Sequence, residues 1–288
     1  MFMKPLVSIV CTTYNHECYI RQTLHGFVMQ QCDFPIEVIV HDDASTDNTA
    51  LIIKEYEDKY SFIRSIIQSE NQYSKGVSHW EYLFINEAKG KYIAICEGDD
   101  YWTDPLKLQK QVDYMQKNDK VSFCFHNAMV YYVDSGNKSL FNTGLDSREY
   151  CTKDLLLKKW FIPTASILLR AKLADNLFPD WYKKVYNGDL GLELLLSNRG
   201  SFFYINEIMS IYRMNAINSL SVNGYKGKIF LQKLLFLLTS YRAYSFPDSF
   251  LYCSYAILIV RLKIIYNHFP FIISAKNKLF RGKKYKLC

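Results

Sequence analysis

One stretch decides the fold of this chain: KYIAICEGDDYW, residues 91–102. Within it, residues 92–96 form an uninterrupted apolar run, which is typical of a strand buried on both faces of a sheet. Three carboxylates follow directly, those of Glu97, Asp99 and Asp100. Carboxylates crowded at the end of a buried strand repel one another and lose hydration, so we expect a cation to compensate them. The oxygens suit a hard divalent ion such as Mg²⁺ or Mn²⁺ that itself holds phosphate, whereas the alternative interpretation is a solvated acidic turn.

Strand and helix patterns alternate at short spacing before this stretch. Apolar runs predict strands over residues 7–11, 36–40 and 62–68, and apolar residues at helical spacing predict helices over residues 18–29, 49–60 and 77–88. This alternation predicts an α/β fold with a mostly parallel sheet and helices on both faces. Ligands bind such sheets at the carboxyl ends of the strands, where residues 12–15, 42–43 and 97–100 lie. One crevice is therefore predicted.

The chain lacks the glycine-rich loops that usually hold phosphates in such a crevice. No Gly-x-Gly-x-x-Gly follows the first predicted strand, and no Gly-x-x-x-x-Gly-Lys-[Ser/Thr] occurs in the sequence. Those loops grip phosphates with backbone amides at a helix N-terminus. Without them a diphosphate has to be neutralised by another route, and a metal ion at Asp99 and Asp100 is the route that the sequence offers.

Composition indicates a folded protein with two regions of opposite charge. The 288 residues are 49% hydrophobic and 22% charged, and the eight cysteines show no zinc-binding spacing, which favours reduced core cysteines in a cytosolic protein. The first five residues lead straight into a strand pattern, so we expect no signal peptide. Residues 1–224 carry 23 Lys and Arg against 27 Asp and Glu, a net charge of −4, whereas residues 225–288 carry 12 against one, a net charge of +11.

The predicted domains follow this division, with a catalytic domain over residues 1–224 and a basic, aromatic-rich helical extension over residues 225–288. Two helices are predicted in the extension, over residues 229–241 and 249–266. The uncharged run 249–260 is shorter than the ~20 residues that a membrane-spanning helix needs. A basic aromatic tail suits the surface of an anionic membrane. The alternative is that the helices pack on the domain and the basic end is solvated.

Three pieces of the sequence, VSIVCTTYNHECYIRQTL, IEVIVHDDASTDNT and GKYIAICEGDDYWTDPLKLQKQV, occur in an order that resembles the GT-A-fold glycosyltransferases. The chain is most similar to the inverting family two of these enzymes, which builds bacterial polysaccharides, and the resemblance covers residues 5–215. It implies a GT-A, Rossmann-like fold. It also implies a nucleotide-diphosphate sugar as donor, a UDP-sugar by family habit, and Mn²⁺ or Mg²⁺ as cofactor.

By matching position, the resemblance places Thr12, Tyr14 and Asp43 on the nucleoside of the donor. It places Asp99 on the ribose and the metal ion, with Asp100 as the direct metal ligand. Family members often have a histidine near the metal, where this chain has Asn215. Whether the metal ion has a second protein ligand in this part of the chain therefore stays open. The neighbouring Arg213 could face the diphosphate or form a salt bridge.

Asp189 is the candidate general base. It follows Gly188 at the start of an apolar helical pattern, which by itself predicts a helix N-cap, and its distance beyond the metal motif matches the base of the family. Both roles are compatible, because a carboxylate at a helix N-terminus is held rigidly and kept ionised by the helix dipole. Glu193, one turn further along the same face, is the alternative base.

The sequence therefore predicts metal-dependent, inverting transfer of a sugar to an acceptor hydroxyl, on a glycan or lipid-linked glycan, in the synthesis of a surface polysaccharide such as a capsule or of a glycolipid. We expect the protein in the cytoplasm, free or peripheral on the inner face of the cytoplasmic membrane. An inactive, membrane-associated scaffold of the same fold is the alternative. The chain argues against it by retaining the four aspartates of the proposed site, Asp43, Asp99, Asp100 and Asp189. Nucleic-acid binding is disfavoured, because the positive charge lies in the tail and the crevice is acidic.

Overall fold

A computed structural model describes residues 4–158, 160–185, 188–217, 227–244 and 247–268. Within these residues one sheet contains ten strands: β1 Val7–Thr13, β2 Ile36–Asp42, β3 Ile63–Ile67, β4 Tyr92–Glu97, β5 Tyr101–Trp102, β6 Val121–Tyr132, β7 Lys138–Leu140, β8 Glu149–Tyr150, β9 Leu168–Arg170 and β10 Ser201–Met214. The described α-helices are α1 Ile20–Val28, α2 Thr49–Lys59, α3 His79–Tyr82, α4 Lys107–Lys117, α5 Thr152–Leu157, α6 Gly188–Ser197, α7 Gly227–Tyr244 and α8 Pro247–His268.

The main path of the sheet runs β3-β2-β1-β4-β9-β6-β10-β5. Strands β3, β2, β1 and β4 are parallel, as are β6 and β10, whereas the short strand β9 runs antiparallel to both of its neighbours. The predicted mostly parallel α/β sheet is therefore confirmed. The carboxyl ends of β1, β2 and β4 meet at one edge, since Thr12 is paired with His41 on one side and with Glu97 on the other.

Both faces of this sheet are buried, as the apolar run at residues 92–96 predicts. Side chains of a strand alternate between the faces, so Tyr92, Ala94 and Cys96 enter one hydrophobic cluster while Ile93 and Ile95 enter the other. Helices α1, α2 and α4 contribute to the first cluster, and helices α6, α7 and α8 contribute to the second. Each face is thus covered by helices, as predicted.

Helices α7 and α8 pack on the catalytic region. Leu237 and Tyr241 of α7 and Cys253 and Ile257 of α8 are buried in the same cluster as side chains of β6 and β10. The hydroxyl of Tyr241 also donates a hydrogen bond of 2.6 Å to Asn198 at the end of α6. The predicted boundary between residues 224 and 225 lies outside the described residues. Among the helices that the structure describes, none combines the length and apolar content needed to cross a membrane.

Candidate active site

Backbone hydrogen bonds join the three strand ends that form the floor of the crevice. The amide of Gly98 donates to the carbonyl of Thr12 at 2.9 Å, and the amide of Asp43 donates to the carbonyl of Thr13 at 3.0 Å. Gly98 is required here, because a Cβ at this position would lie 2.5 Å from Oγ1 of Thr13. The acidic turn after β4 consequently packs closely against the end of β1. Tyr14, the residue that follows β1, is partly exposed.

Asp100 is a buried carboxylate with one oxygen unsatisfied. Its side chain is 1% exposed, and Oδ1 accepts a 2.7 Å hydrogen bond from the backbone amide of Arg213. Oδ2 has no hydrogen-bond partner among the described residues. Burial and then the charge of Asp99 raise the pKa of Asp100 well above its usual range. A divalent cation would satisfy the orphaned oxygen and offset the clustered charge, so Asp99 and Asp100 fit the metal site that the sequence predicts.

Arg213 stabilises the acidic turn that contains Asp99 and Asp100. Its guanidinium donates to the main-chain carbonyl of Asp99 and to the side-chain oxygen of Gln22, and it lies against the rings of Tyr19 and Tyr101 at 4.9 and 4.5 Å. With an exposure of 4%, this side chain holds the motif in place through main-chain and amide contacts. Asn215 has a positive φ of 62° and donates a 2.9 Å hydrogen bond to Asp134.

Asp43 is buried at the end of β2 and already holds a loop. Its two oxygens accept hydrogen bonds from the amides of Gln72 and Tyr73 at 2.7 and 3.0 Å. Nε2 of His79 lies 3.4 Å from Oδ2. Each carboxylate oxygen has a second lone pair, so a contact with the donor nucleoside at Asp43 stays a prediction.

His41 and His79 form with Asp43 a cluster that the sequence analysis missed. One potential ligand atom from each residue lies within 4.8 Å of the others, so the three side chains could hold a transition-metal ion. Burial and then the charge of His79 lower the pKa of His41 to about 4, which keeps its ring neutral. Thirty-seven residues separate His41 from His79 without a recognisable ligand spacing, and only the folding of the 71–79 loop onto β2 brings them together.

Asp189 lies in the first turn of α6, as predicted. Its Oδ2 accepts a 3.1 Å hydrogen bond from the indole N–H of Trp160, a residue that the sequence analysis did not single out. Burial raises the pKa of Asp189, and hydrogen bonds from its helix backbone and from Trp160 partly oppose that rise.

The charge of Asp189 influences the pKa of Glu97 in the acidic turn. Burial, followed by the charges of Asp99 and Asp189, raises the pKa of Glu97 to about 8. The carboxylate at the start of α6 therefore acts electrostatically on the carboxylate at the end of β4. Glu193, the alternative base, is fully buried behind Asp189, and both of its oxygens lack a hydrogen-bond partner within the described part of the chain. Burial and the charge of Asp189 raise the pKa of Glu193 well above its usual range, which favours a neutral carboxyl group there.

Comparison with known proteins identifies the family. Residues 8–178 match the sequence model described as glycosyl transferase family 2. The chain belongs to this family. An uncharacterized protein of Mycobacterium tuberculosis is 40% identical over 217 residues, which are 73% of this chain and 59% of that protein. The chain therefore spans about three fifths of the length of this relative.

Two further relatives carry functional names. TuaG of Bacillus subtilis, named a putative teichuronic acid biosynthesis glycosyltransferase, is 29% identical over 226 residues, covering 78% of this chain and 84% of TuaG. WfaP of Escherichia coli, named a UDP-Glc:alpha-D-GlcNAc-diphosphoundecaprenol beta-1,3-glucosyltransferase, is 31% identical over 227 residues, covering 78% of this chain and 83% of WfaP.

Solved structures confirm the predicted GT-A fold. Staphylococcus aureus TarS, solved in complex with UDP-GlcNAc, superposes with a TM-score of 0.66 at 17% identity, covering 93% of this chain and 73% of the TarS chain. The mannosyltransferase PcManGT of Pyrobaculum calidifontis, solved with GDP-Man and Mn²⁺, superposes with a TM-score of 0.59 at 14% identity, covering 98% of this chain and 89% of that chain.

Proposed function

We propose that this chain is a metal-dependent, inverting glycosyltransferase that moves a sugar from a nucleotide-diphosphate sugar to an acceptor hydroxyl. One observation carries the proposal: at the carboxyl ends of the parallel strands the buried Asp100, next to Asp99, keeps one carboxylate oxygen without a partner among the described residues, and the charge of Asp189 acts on Glu97 of the same turn. Family membership supports the reaction type. A UDP-sugar is the proposed donor, since WfaP is named as using UDP-Glc and TarS was solved with UDP-GlcNAc.

The acidic turn would hold the diphosphate end of the donor. A divalent cation bound by Asp99 and Asp100 would draw charge from the departing diphosphate. The backbone amide of Arg213 holds the Asp100 carboxylate and its guanidinium holds the main-chain carbonyl of Asp99, so the turn is organised before the donor arrives. Thr12, Tyr14 and Asp43 line the strand ends beside this turn and are the proposed contacts for the nucleoside.

Asp189 would act as the general base. As the acceptor oxygen attacks the anomeric carbon from the face opposite the diphosphate, the Asp189 carboxylate takes the hydroxyl proton and the bond from carbon to diphosphate breaks. The indole N–H of Trp160 donates to Oδ2 and fixes the orientation of the carboxylate. The raised pKa of Asp189 makes it a stronger base than an ordinary aspartate.

The proposed acceptor is a glycan or a lipid-linked glycan of a surface polysaccharide pathway, and the proposed location is the cytoplasm at the inner face of the membrane. The printed name of WfaP contains a diphosphoundecaprenol acceptor, and that of TuaG refers to teichuronic acid, a polysaccharide. The net charge of +11 over residues 225–288 supports attraction to an anionic membrane surface. The inactive scaffold gains no support from the described residues, because the aspartates of the crevice are in place.

Binding of UDP in the presence and absence of Mn²⁺ tests the metal site. We expect Mn²⁺ to strengthen UDP binding to the unmutated protein and to have no effect on the Asp100→Ala variant, measured by titration calorimetry. Asp113→Ala, which removes an exposed carboxylate of α4, should behave like the unmutated protein. Equal UDP affinity of the unmutated protein with and without Mn²⁺ would contradict the proposed metal dependence.

A further inference from the structure

Helix α8 is apolar on two opposite faces. Its inner face carries Cys253, Ile257 and Val260, all buried against α7 and the core. Its outer face carries a stripe of four exposed side chains, with exposures of 76% for Leu251, 56% for Tyr255, 52% for Leu258 and 51% for Leu262. Intervals of four, three and four residues align these side chains along one side of a helix. We call them the outer stripe.

The outer stripe is the kind of surface that a soluble protein seldom leaves in water. A surface helix usually has polar residues opposite its buried face, and a helix that is apolar all round is normally covered. The twelve residues from Leu251 to Leu262 span roughly 16 Å along the helix axis. Contiguous exposed apolar surface of this kind marks a contact with a protein partner or with a membrane.

Charge decides between these two partners. Residues 249–288 contain eight Lys and Arg and no Asp or Glu. Arg261 and Lys263, both exposed, lie on the two flanks of the outer stripe at the helical angle of ~100° per residue. An apolar stripe bordered by basic residues is the arrangement of a helix that lies in a membrane interface. A second copy of the chain would bring the same positive charge to the contact, and like charges oppose association.

Helix α7, which packs against α8, also contacts the candidate active site. Phe230 of α7 stacks on the ring of Trp160 with 5.7 Å between ring centroids, and Trp160 donates its indole hydrogen bond to Asp189. Helix α7 in turn packs along α8 through Leu238 and Cys253, the thiol of which donates to the Leu238 carbonyl at 3.3 Å. The outer stripe is therefore connected by packed side chains to the side of the crevice that holds the proposed base.

We propose that the outer stripe of α8 docks on the surface of an anionic lipid bilayer. Leucine and tyrosine side chains enter the interface, and the flanking basic residues contact anionic headgroups. Together with the proposed function, on which this second step rests, docking brings the Asp189 side of the crevice close to acceptors that are anchored in the same membrane.

Vesicle binding by the full chain, without donor or acceptor, tests the docking step. The probe is a vesicle of phosphatidylglycerol and phosphatidylcholine in equal parts, compared with a vesicle of phosphatidylcholine alone. We expect binding to the anionic vesicle that weakens with added salt, and a loss of about tenfold or more in vesicle affinity for the double variant Leu258→Gln/Leu262→Gln. Leu51→Gln removes a leucine of α2 that is 65% exposed, more than Leu258 or Leu262, and should bind like the unmutated protein.

Three outcomes would overturn the proposal. Undiminished vesicle binding by the double variant would show that the outer stripe is not part of the contact. Equal binding to neutral vesicles would show that anionic lipid is not required. A dimer of the unmutated protein that becomes a monomer in the double variant, without vesicle binding by either, would make a second copy the occupant. Because no donor is present, docking can succeed while Mn²⁺-dependent UDP binding fails, and the two proposals are therefore separable.

Discussion

Asp100 is buried and Asp189 is half-buried, and the surroundings of the two carboxylates suit them to different tasks. Asp100 has one oxygen on a backbone amide and one oxygen without a partner, which suits a cation. Asp189 is partly exposed and is oriented by the indole of Trp160, which suits a carboxylate that exchanges a proton with an incoming hydroxyl. Burial raises the pKa of both groups. For Asp100 the next largest cause is the charge of the adjacent Asp99, which raises its pKa further, whereas hydrogen bonds lower the pKa of Asp189.

Replacing Asp189 by asparagine should stop the reaction without changing donor binding. Asparagine keeps the shape and still accepts the hydrogen bond from Trp160, but it cannot take a proton. We expect the initial rate of UDP release in the presence of acceptor to fall by about 10²- to 10⁴-fold. The affinity for UDP and Mn²⁺ should be unchanged. Glu193→Gln is the matched control, since a carboxyl group that is already neutral loses little on becoming an amide. A larger loss for Glu193→Gln than for Asp189→Asn would assign the base to Glu193.

The pH dependence of the rate should report the hydrogen bond from Trp160. The base must be ionised, so the rate falls as the pH falls through the pKa of Asp189, which burial raises above the ordinary range. The indole N–H stabilises the ionised form, and its removal in Trp160→Phe should raise that pKa further. The acid limb of the pH–rate profile should therefore move to higher pH in the variant. A limb that stays in place or moves to lower pH would show that Trp160 does not act on the reacting carboxylate.

At the scale of elements, strand β5 and helix α4 form the support of the acidic turn. Lys107, near the start of α4, is fully buried with Nζ 2.7 Å from the Gln111 side-chain oxygen and 3.9 Å from the centre of the Trp102 ring. The indole N–H of Trp102 donates to the carbonyl of Ala165 at 2.8 Å. These contacts fix β5, and β5 fixes the far end of the turn that holds Asp99 and Asp100.

Lys107→Met should change how stability depends on pH. Burial lowers the pKa of Lys107 from 10.5 to about 7, so between these values the unfolded state binds a proton that the folded state does not. The free energy of unfolding of the unmutated protein therefore gains a contribution as the pH rises from 7 to 10.5, and below pH 7 the cost of the buried charge is fully present. Methionine has no such dependence. In urea melts, the stability of the variant relative to the unmutated protein should fall by roughly 3–5 kcal/mol across this window. Parallel stability curves would mean that Lys107 is not buried as described.

Elements with a simple pattern could be predicted from the sequence, and those with buried polar residues could not. Strands β1, β2 and β4 start at the predicted residues because both of their faces are apolar. Two separate apolar runs, residues 121–125 and 129–133, predict two strands, whereas β6 is one strand that continues through the buried polar residues between them. Asn127 interrupts the apolar pattern, and its amide satisfies its hydrogen bonds with the backbone of Asn142, at 3.0 Å in both directions. The predicted helix over residues 77–88 is confirmed over residues 79–87, where α3 continues as a π-helical turn at Leu83–Glu87.

The same distinction applies to the candidate site. The ends of parallel strands meet at one edge, so the proximity of Thr12, Asp43 and Asp99 follows from the order of strands and helices. Trp160 precedes Asp189 by 29 residues, and no periodic pattern connects them, so only the packing of the loop against α6 shows the contact.

At the scale of the whole molecule, the basic helical extension and the acidic catalytic region share a hydrophobic core. Leu237, Tyr241 and Ile257 from the extension are buried in the cluster that also contains Phe202 and Tyr204 of β10. The change of net charge near residue 224 therefore concerns the surface of the molecule, and it does not separate two hydrophobic cores. We expect the two regions to unfold together, although their net charges have opposite signs.

Leu237→Ala tests whether the core is shared. Leu237 is fully buried in α7, and its truncation should lower the free energy of unfolding by about 2–5 kcal/mol through lost burial and the cavity left behind. Trp160 and Trp181 contact Phe230 and Tyr244 of α7, so the comparison is made in a background in which both tryptophans are phenylalanine. The fluorescence of the two remaining tryptophans then reports on the catalytic region, whereas far-UV circular dichroism also reports on α7 and α8. We expect both signals to shift to the same lower urea midpoint. The control Leu251→Ala removes a leucine that is 76% exposed and should change stability by about 0.5 kcal/mol or less. If the tryptophan midpoint stayed in place while the dichroism midpoint fell, the extension would be an independent unit, and the path from the outer stripe to Asp189 would lose its support.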